Sequence, residues 1–171
     1  MKKPTEVLSE EHKEILKVID ALIRECASLR AGKPLDNVFF GRTIDFIRNF
    51  ADKFHHAKEE DILFVELSKV EMHCSPMQQM VYEHDLGRGF VKGMEEGLRE
   101  NNKPKVIENS MQYAQLLQQH IFKEDNILYP MADEALSDEM QISILQQFSK
   151  AGSKETEEKY RAIASELSRA I

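Results

Sequence analysis

A gapless internal repeat constrains the fold of this chain more than any other feature. Residues 55–64 align with residues 120–129, and five of the ten positions are identical. In both copies a histidine is followed by a glutamate four positions later: His55 with Glu59, and His120 with Glu124. Positions i and i+4 lie one turn apart on the same face of an α-helix. The repeat therefore predicts two helices that present the same histidine–carboxylate pair in the same local frame.

The supply of turn residues favours an all-α fold. The chain has 171 residues, of which 42% are hydrophobic and only 7 are Gly and 5 are Pro. Apolar residues recur at helical spacing, and the predicted helices cover about 5–30, 36–70, 75–100, 102–129 and a stretch from 137 nearly to the C terminus. Pro130 is expected to kink or end the fourth helix. We predict an up-down-up-down four-helix bundle at 1–136, with an additional C-terminal helix at 137–171 packed on or extending from it.

Charge and hydropathy exclude two classes of partner. The formal net charge is -7, which disfavours nucleic acid because a phosphate backbone attracts a basic surface. No stretch approaches the ~20 apolar residues of a membrane span. The first twelve residues are strongly charged and contain no apolar run, so no secretory signal is predicted. We expect a cytoplasmic protein without a membrane or nucleic-acid partner, and the sequence leaves any protein partner open.

Two further histidines lie on apolar stripes of the predicted bundle. His12 continues the stripe of the first helix, and His84 continues that of the third, so each of the four helices offers one histidine to the interior. Imidazole suits transition metals, a carboxylate can bridge two cations, and bundle cores are common places for such sites. A buried cluster of this kind would be costly without a cation. The predicted metal ligands are His12, His55, Glu59, His84, His120 and Glu124.

A neighbouring pair has the same spacing as one of the predicted half-sites. His56 and Glu60 are also four residues apart. At about 100° per residue, His55 falls with the apolar residues of its helix, whereas His56 and Glu60 fall on the polar side. We therefore assign the metal to His55 and Glu59. His56 and Glu60 remain candidates for residues that support the ligands or replace one of them.

Three other side chains outside the ligand set have a predicted place. Tyr82 and Tyr113 could donate a hydrogen bond to the site or supply an extra ligand, although core packing is the simpler interpretation for both. His73 is expected in a loop and in contact with solvent.

Taken together, these motifs resemble the hemerythrin-like (HHE cation-binding) proteins over about 5–136. The matching segments are Leu8–His12, Phe54–Phe64, Glu83–Arg88 and His120–Pro130. The resemblance implies an oxo- or hydroxo-bridged di-iron centre. Its ligand order would be His; His-x-x-x-Glu; His; His-x-x-x-Glu, which corresponds to the six residues named above. The residue types also leave manganese or zinc open.

The chain departs from the oxygen-carrying hemerythrins in two respects. Those proteins place two histidines one turn apart on the third helix, whereas Met80 and Arg88 flank His84 here. Their fourth helix uses a bridging Asp where Asp125 would fall, which makes Asp125 an alternative ligand to Glu124. With one histidine fewer, the irons are expected to have more open positions.

This pattern favours binding or sensing of O2, NO or peroxide over simple oxygen carriage. One alternative is a di-iron enzyme that consumes peroxide or NO, or repairs iron centres under oxidative or nitrosative stress, with Tyr82, Tyr113 or His56 assisting. Another alternative is an iron store or a structural metal bundle.

Overall fold

The computed structural model describes residues 1–72 and 74–169, so the prediction for His73 lies outside the described residues. Six helices account for the regular structure of this part: α1 (Pro4–Arg30), α2 (37–67), α3 (Met77–Arg99), α4 (103–135), α5 (Asp138–Lys150) and α6 (Lys154–Arg169). It contains no strand. The predicted all-α fold is confirmed. None of the described helices is both long enough and apolar enough to cross a bilayer.

The C-terminal region contains two helices where the sequence predicted one. The helical structure is interrupted after α5 at 151–153. The hydroxyl of Ser153 accepts a hydrogen bond from the backbone N–H of Thr156, which caps α6. Gly152 occupies this turn, and a Cβ added there would lie 2.7 Å from a ring carbon of Phe54. The close approach of the turn to α2 explains why glycine stands at this position.

Two of the bundle helices contain wide turns. Along α2 the segments are α-helix at Asn37–Phe46, π-helix at Ile47–His56 and Glu59–Leu63, and α-helix at Phe64–Leu67. Along α4 they are α-helix at Lys103–Lys123, π-helix at Glu124–Leu128 and α-helix at Tyr129–Ala135. A π-helix bonds residue i to i+5, so each residue turns by less than 100°, and such turns are frequent at functional sites. Pro130 directly follows the wide turn of α4, and the helix continues through it.

Apolar residues of the bundle form two separate clusters. The main cluster fills one end with residues such as Ile19, Phe46 and Leu117. The end cluster fills the other with residues such as Leu63 and Leu128. On each of α1 to α4 the predicted ligands fall between residues of the main cluster and residues of the end cluster. The predicted ligands therefore form a polar layer across the middle of the bundle.

Helices α5 and α6 pack beside different clusters. Ile144 and Phe148 of α5 belong to the end cluster. Tyr160 and Leu167 of α6 belong to the main cluster. The C-terminal pair therefore spans the polar layer from one side.

Candidate metal centre

The six residues predicted as ligands come together in the polar layer, and none is more than 2% exposed. They form two groups whose ligand atoms lie within 4.8 Å of one another. One group adds His12 and His55 to a pair of glutamates, and the other adds His84 and His120 to the same pair. Glu59 and Glu124 are thus shared between two positions, as carboxylates that link two metal ions would be.

Distances between the inner atoms fit a shared cation. The two Nε2 atoms of His84 and His120 are 3.0 Å apart. The Nε2 of His55 lies 2.7 Å from an oxygen of Glu59, and that of His120 lies 2.6 Å from Glu124. Two ligands at right angles on an ion with bonds of about 2.1 Å would be about 3.0 Å apart. The inner nitrogens and oxygens are therefore spaced as neighbours in one coordination shell.

Several of these inner atoms lack a hydrogen bond. Nε2 of His55 and one oxygen each of Glu59 and Glu124 are buried and have no hydrogen-bond partner of acceptable geometry among the described residues. Leaving charged groups buried and unsatisfied costs several kcal/mol. The residue types and their orphaned atoms fit a metal pair, because cations would satisfy all of them at once.

Electrostatics of the two shared glutamates point the same way. Burial raises the pKa of Glu59 well above its usual range, and the charge of Glu124 raises it further. Burial opposes ionisation of Glu124 as well, but His120 and His12 hold its pKa well below the usual range. Without a metal, only one of these two carboxyls is readily ionised. A pair of cations would allow both to carry a charge.

An outer ring of carboxylates orients the histidines. The Nδ1 contacts are His12 with Asp125 at 2.9 Å, His55 with Glu11 at 3.0 Å, His84 with Glu60 at 3.1 Å and His120 with Glu83 at 3.1 Å. An ionised carboxylate only accepts, so each Nδ1 donates. The lone pair of each Nε2 is then free to face the centre, an arrangement typical of metal-bound histidine.

The outer ring follows an approximate two-fold relation that exchanges α1 with α3 and α2 with α4. The matched contacts are Glu11–His55 with Glu83–His120, Asp125–His12 with Glu60–His84, and Lys58–Glu11 with Lys123–Glu83. Lys58 is only 4% exposed. The sequence repeat of α2 and α4 is thus one part of a larger internal symmetry, which also relates α1 to α3.

The symmetry fails at His56, which corresponds to Ile121. His56 is 5% exposed, and its ring stacks on His84 with centroids 3.7 Å apart and an interplanar angle of 15°. With His84 and His120 it forms a third group of potential ligands. The prediction that His56 lies on the polar side of its helix is wrong, because the π-helical turns of α2 rotate less per residue than the assumed 100°. His56 is therefore placed where it could supply the histidine that the third helix lacks.

The two-fold symmetry also fails at Tyr129, which corresponds to Phe64. The Tyr129 hydroxyl lies 3.2 Å from Glu124 and 3.4 Å from Glu59, both on oxygens that can accept from it. The ring is fully enclosed and burial raises the pKa of its hydroxyl well above the usual range, so the phenol is neutral. Tyr129 was not predicted from the sequence, although the Phe-to-Tyr exchange within the repeat marks it.

The remaining predicted candidates separate clearly. Tyr82 is 59% exposed, so core packing was wrong for it: it lies two residues, or about 200°, from His84 on its helix. Tyr113 is buried, as predicted. Glu60 and Asp125 contact the Nδ1 atoms of His84 and His12, which are predicted ligands, and do not belong to the two groups that share the glutamates.

Glu11 and Glu83, which orient His55 and His120, were not predicted. Each directly precedes a predicted histidine ligand in the sequence, His12 or His84. That adjacency was the available signal, but the histidine that each one contacts lies on another helix.

Comparison with known proteins agrees with this geometry. No curated protein sequence matches the chain. The family model of the hemerythrin HHE cation-binding domain matches residues 3–132. That range includes all seven potential ligands and the outer carboxylates. The chain therefore belongs to the hemerythrin HHE cation-binding domain family.

Proposed function

We propose that this protein holds two iron ions in the polar layer and uses them to bind or sense O2, NO or peroxide. The observation that carries the proposal is the sharing of Glu59 and Glu124 by two histidine groups. His12 and His55 would hold one ion. His84 and His120 would hold the other, with His56 as a third imidazole. Bound iron would supply the redox chemistry and the affinity for small oxidants.

The charge of the surroundings supports two cations. Seven carboxylates lie in or against the histidine cluster: Glu11, Asp52, Glu59, Glu60, Glu83, Glu124 and Asp125. Three cationic side chains pair with them, namely Lys58, Arg88 and Lys123. The excess of negative charge suits two divalent ions better than one. Imidazole and carboxylate donors accept iron, and manganese or zinc remain possible occupants.

Metal content and the optical spectrum test the proposal together. Protein purified without oxygen should contain about two irons per chain, and near-ultraviolet charge-transfer bands should develop on exposure to air. The Glu124→Gln variant should lose most of both ions, because that carboxylate serves both positions. Asp61→Asn, an exposed carboxylate on the same helix as Glu59, is the matched control and should retain both ions. Stoichiometric zinc without an air-dependent change would replace the redox function with a structural one.

A di-iron enzyme that consumes peroxide or NO is the second candidate. The neutral phenol of Tyr129 favours it, because a hydroxyl against both shared carboxylates can donate a hydrogen bond to a reacting ligand. Steady-state peroxide or NO consumption per iron should then fall in Tyr129→Phe while the iron content stays at two. Absence of turnover with either oxidant would exclude this candidate and leave binding or sensing.

A further inference from the structure

A cavity of about 70 Å³ lies against one end of the polar layer. Its inner wall includes the imidazoles of His56, His84 and His120. The apolar part of its lining comes from Ile47, Val91 and Leu117. This space exceeds what one water molecule needs and is enough for a molecule of a few heavy atoms.

The cavity runs from a half-exposed mouth to a buried wall. At the mouth, the side chains of Arg48 and Arg88 are 40% and 39% exposed, and that of Asp52 is 25% exposed. Arg88 donates to Asp52 at 2.9 Å and to Glu60 at 2.7 Å, so its guanidinium is held in place there. The three histidines at the inner wall are at most 5% exposed. Solvent and the imidazoles are thus joined by one continuous space.

Tyr113 supplies a hydroxyl group to the buried part of this cavity. The residue lines the cavity and is 2% exposed, yet its hydroxyl has no hydrogen-bond partner within the described chain. A buried hydroxyl without a partner costs about 1–3 kcal/mol, so such groups call for an explanation. A ligand atom that accepts a hydrogen bond would satisfy it.

The approximate two-fold symmetry has no second copy of these features. Tyr113, seven residues before His120, corresponds by position to Arg48, seven residues before His55. Arg88, four residues after His84, corresponds by position to Leu16, four residues after His12. His56 corresponds to Ile121. His56, Arg88 and Tyr113, which all line the cavity, therefore occupy positions at which the two halves differ.

We propose that this cavity is the chamber through which a small neutral ligand reaches the His56, His84 and His120 end of the site, with the Tyr113 hydroxyl as its hydrogen-bond donor. The ligand class is an uncharged molecule of two or three heavy atoms that carries a hydrogen-bond acceptor. Most of the surface that lines the cavity is apolar, which disfavours a charged ligand because the ion would lose much of its hydration there. This inference rests on the proposed function for the identity of the reacting centre.

The first test fills the chamber. Gly87 lines the cavity, and a Cβ there would meet Tyr113 at 3.4 Å and Leu117 at 3.7 Å, which are ordinary contacts. Gly87→Val should therefore fold while occupying the space. Gly89→Val on the same helix is the matched control, since nothing lies within 4 Å of that Cβ position. Leu117→Phe is a second blocking variant.

Xenon and nitric oxide are the probes. Xenon binding is measured by NMR on the zinc-loaded protein and reports the space without reference to iron. It should be lost in Gly87→Val and Leu117→Phe and kept in Gly89→Val. The NO association rate, measured by stopped-flow on the reduced iron-loaded protein, should fall at least about tenfold in the two blocking variants at unchanged iron content.

Tyr113→Phe tests the hydrogen bond separately. It keeps the ring and should leave xenon binding and NO association unchanged. Loss of one hydrogen bond should speed NO dissociation about fivefold to tenfold. An unchanged dissociation rate would remove Tyr113 from the proposal.

Two failures can be told apart. Wild-type protein that takes up no iron would overturn the proposed function, while xenon in the chamber would still be measurable. Wild-type iron protein that binds NO at the same rate as both blocking variants would overturn the chamber and leave the proposed function standing. Equal xenon binding in Gly87→Val and Gly89→Val would also overturn it.

Discussion

The ring of Tyr129 lies parallel to that of His12, with centroids 5.5 Å apart and an interplanar angle of 8°. The symmetry-related pair, Phe64 and His84, has the same arrangement at 6.5 Å and 12°. An aromatic ring thus stacks on a predicted ligand histidine in each half of the bundle. Only the Tyr129 half adds a hydroxyl that reaches the shared carboxylates.

Replacing Tyr129 by Phe should therefore preserve the bundle and both metal ions. The Phe64 half shows that an unsubstituted ring fits this packing. We expect the metal-free protein to lose about 1 kcal/mol of unfolding free energy, the usual worth of one buried hydrogen bond. Urea unfolding and metal analysis measure the two quantities. Loss of one metal ion from the variant would contradict this expectation and make the phenol a ligand.

His56→Ile copies the Ile121 side of the symmetry and should equalise the two metal positions. In the wild type, three imidazoles against two should give two binding steps of different affinity. Removing His56 should weaken the tighter step by tenfold or more and bring the two steps together. Competition with a chelator of known affinity gives both constants. Two steps that remain as far apart as in the wild type would exclude His56 from the ligand set.

The raised pKa values of the histidines predict that stability changes with pH in opposite directions with and without metal. Burial alone would lower the pKa of His120, but Glu124 and Glu83 raise it to about 10. A raised pKa contributes stability that is fully present below the unfolded value of about 6.5 and is lost as pH rises to about 10. The metal-free protein should therefore become less stable across that range.

The metal-loaded protein should instead lose stability on acidification, because protons compete with the metal for imidazole. Thermal unfolding at pH 6, 8 and 10, with and without chelator, separates the two cases. Burial also opposes protonation of His12 and His84, yet their carboxylate partners raise the pKa of both. Zinc titration of metal-free protein at pH 7 should therefore release protons from these histidines and from the buried carboxyl of Glu59. No proton release would contradict this assignment.

Two glycine substitutions should change stability in opposite directions. A Cβ at Gly152 would press on the packed ring of Phe54 at 2.7 Å, so Gly152→Ala should cost about 1–3 kcal/mol of unfolding free energy. Gly41 lies in the α-helical part of α2 with nothing within 4 Å of its Cβ position. Gly41→Ala should gain about 1 kcal/mol. Chemical unfolding of both variants checks the signs, and equal effects would mean that the turn moves freely away from Phe54.

Local periodicity was sufficient to predict the inner residues of the site. His12 and His84 lie on regular α-helical stripes, and the His-x-x-x-Glu units bring their two side chains to the same face. All six predicted ligands are buried in one layer for this reason. The bundle itself was equally predictable, because a chain with few turn residues and helical apolar spacing has few other folds.

Other features depend on information that a helical wheel does not contain. A wide turn in α2 rotates His56 inward, and nothing in the local composition marks that backbone pattern. The pairing of Glu11 with His55 joins residues 44 positions apart on different helices. The requirement for glycine at Gly152 follows from contact with Phe54, which is also distant in the sequence. Such errors arise where tertiary contacts or backbone hydrogen-bond register override the 3.6-residue period.

The polar layer divides the apolar interior into the main cluster and the end cluster, so the described residues form no single continuous core. Helix α5 packs on the end cluster and helix α6 on the main cluster, and the short turn at Gly152 connects the two helices. Cleavage of the backbone in that turn would leave α5 on the end cluster and α6 on the main cluster, but would remove the covalent connection between them. Within the described part of the chain, the main cluster and the end cluster would then be joined by the four bundle helices and by the polar layer that these helices form. Occupancy of that layer would decide whether the two ends melt together or one after the other.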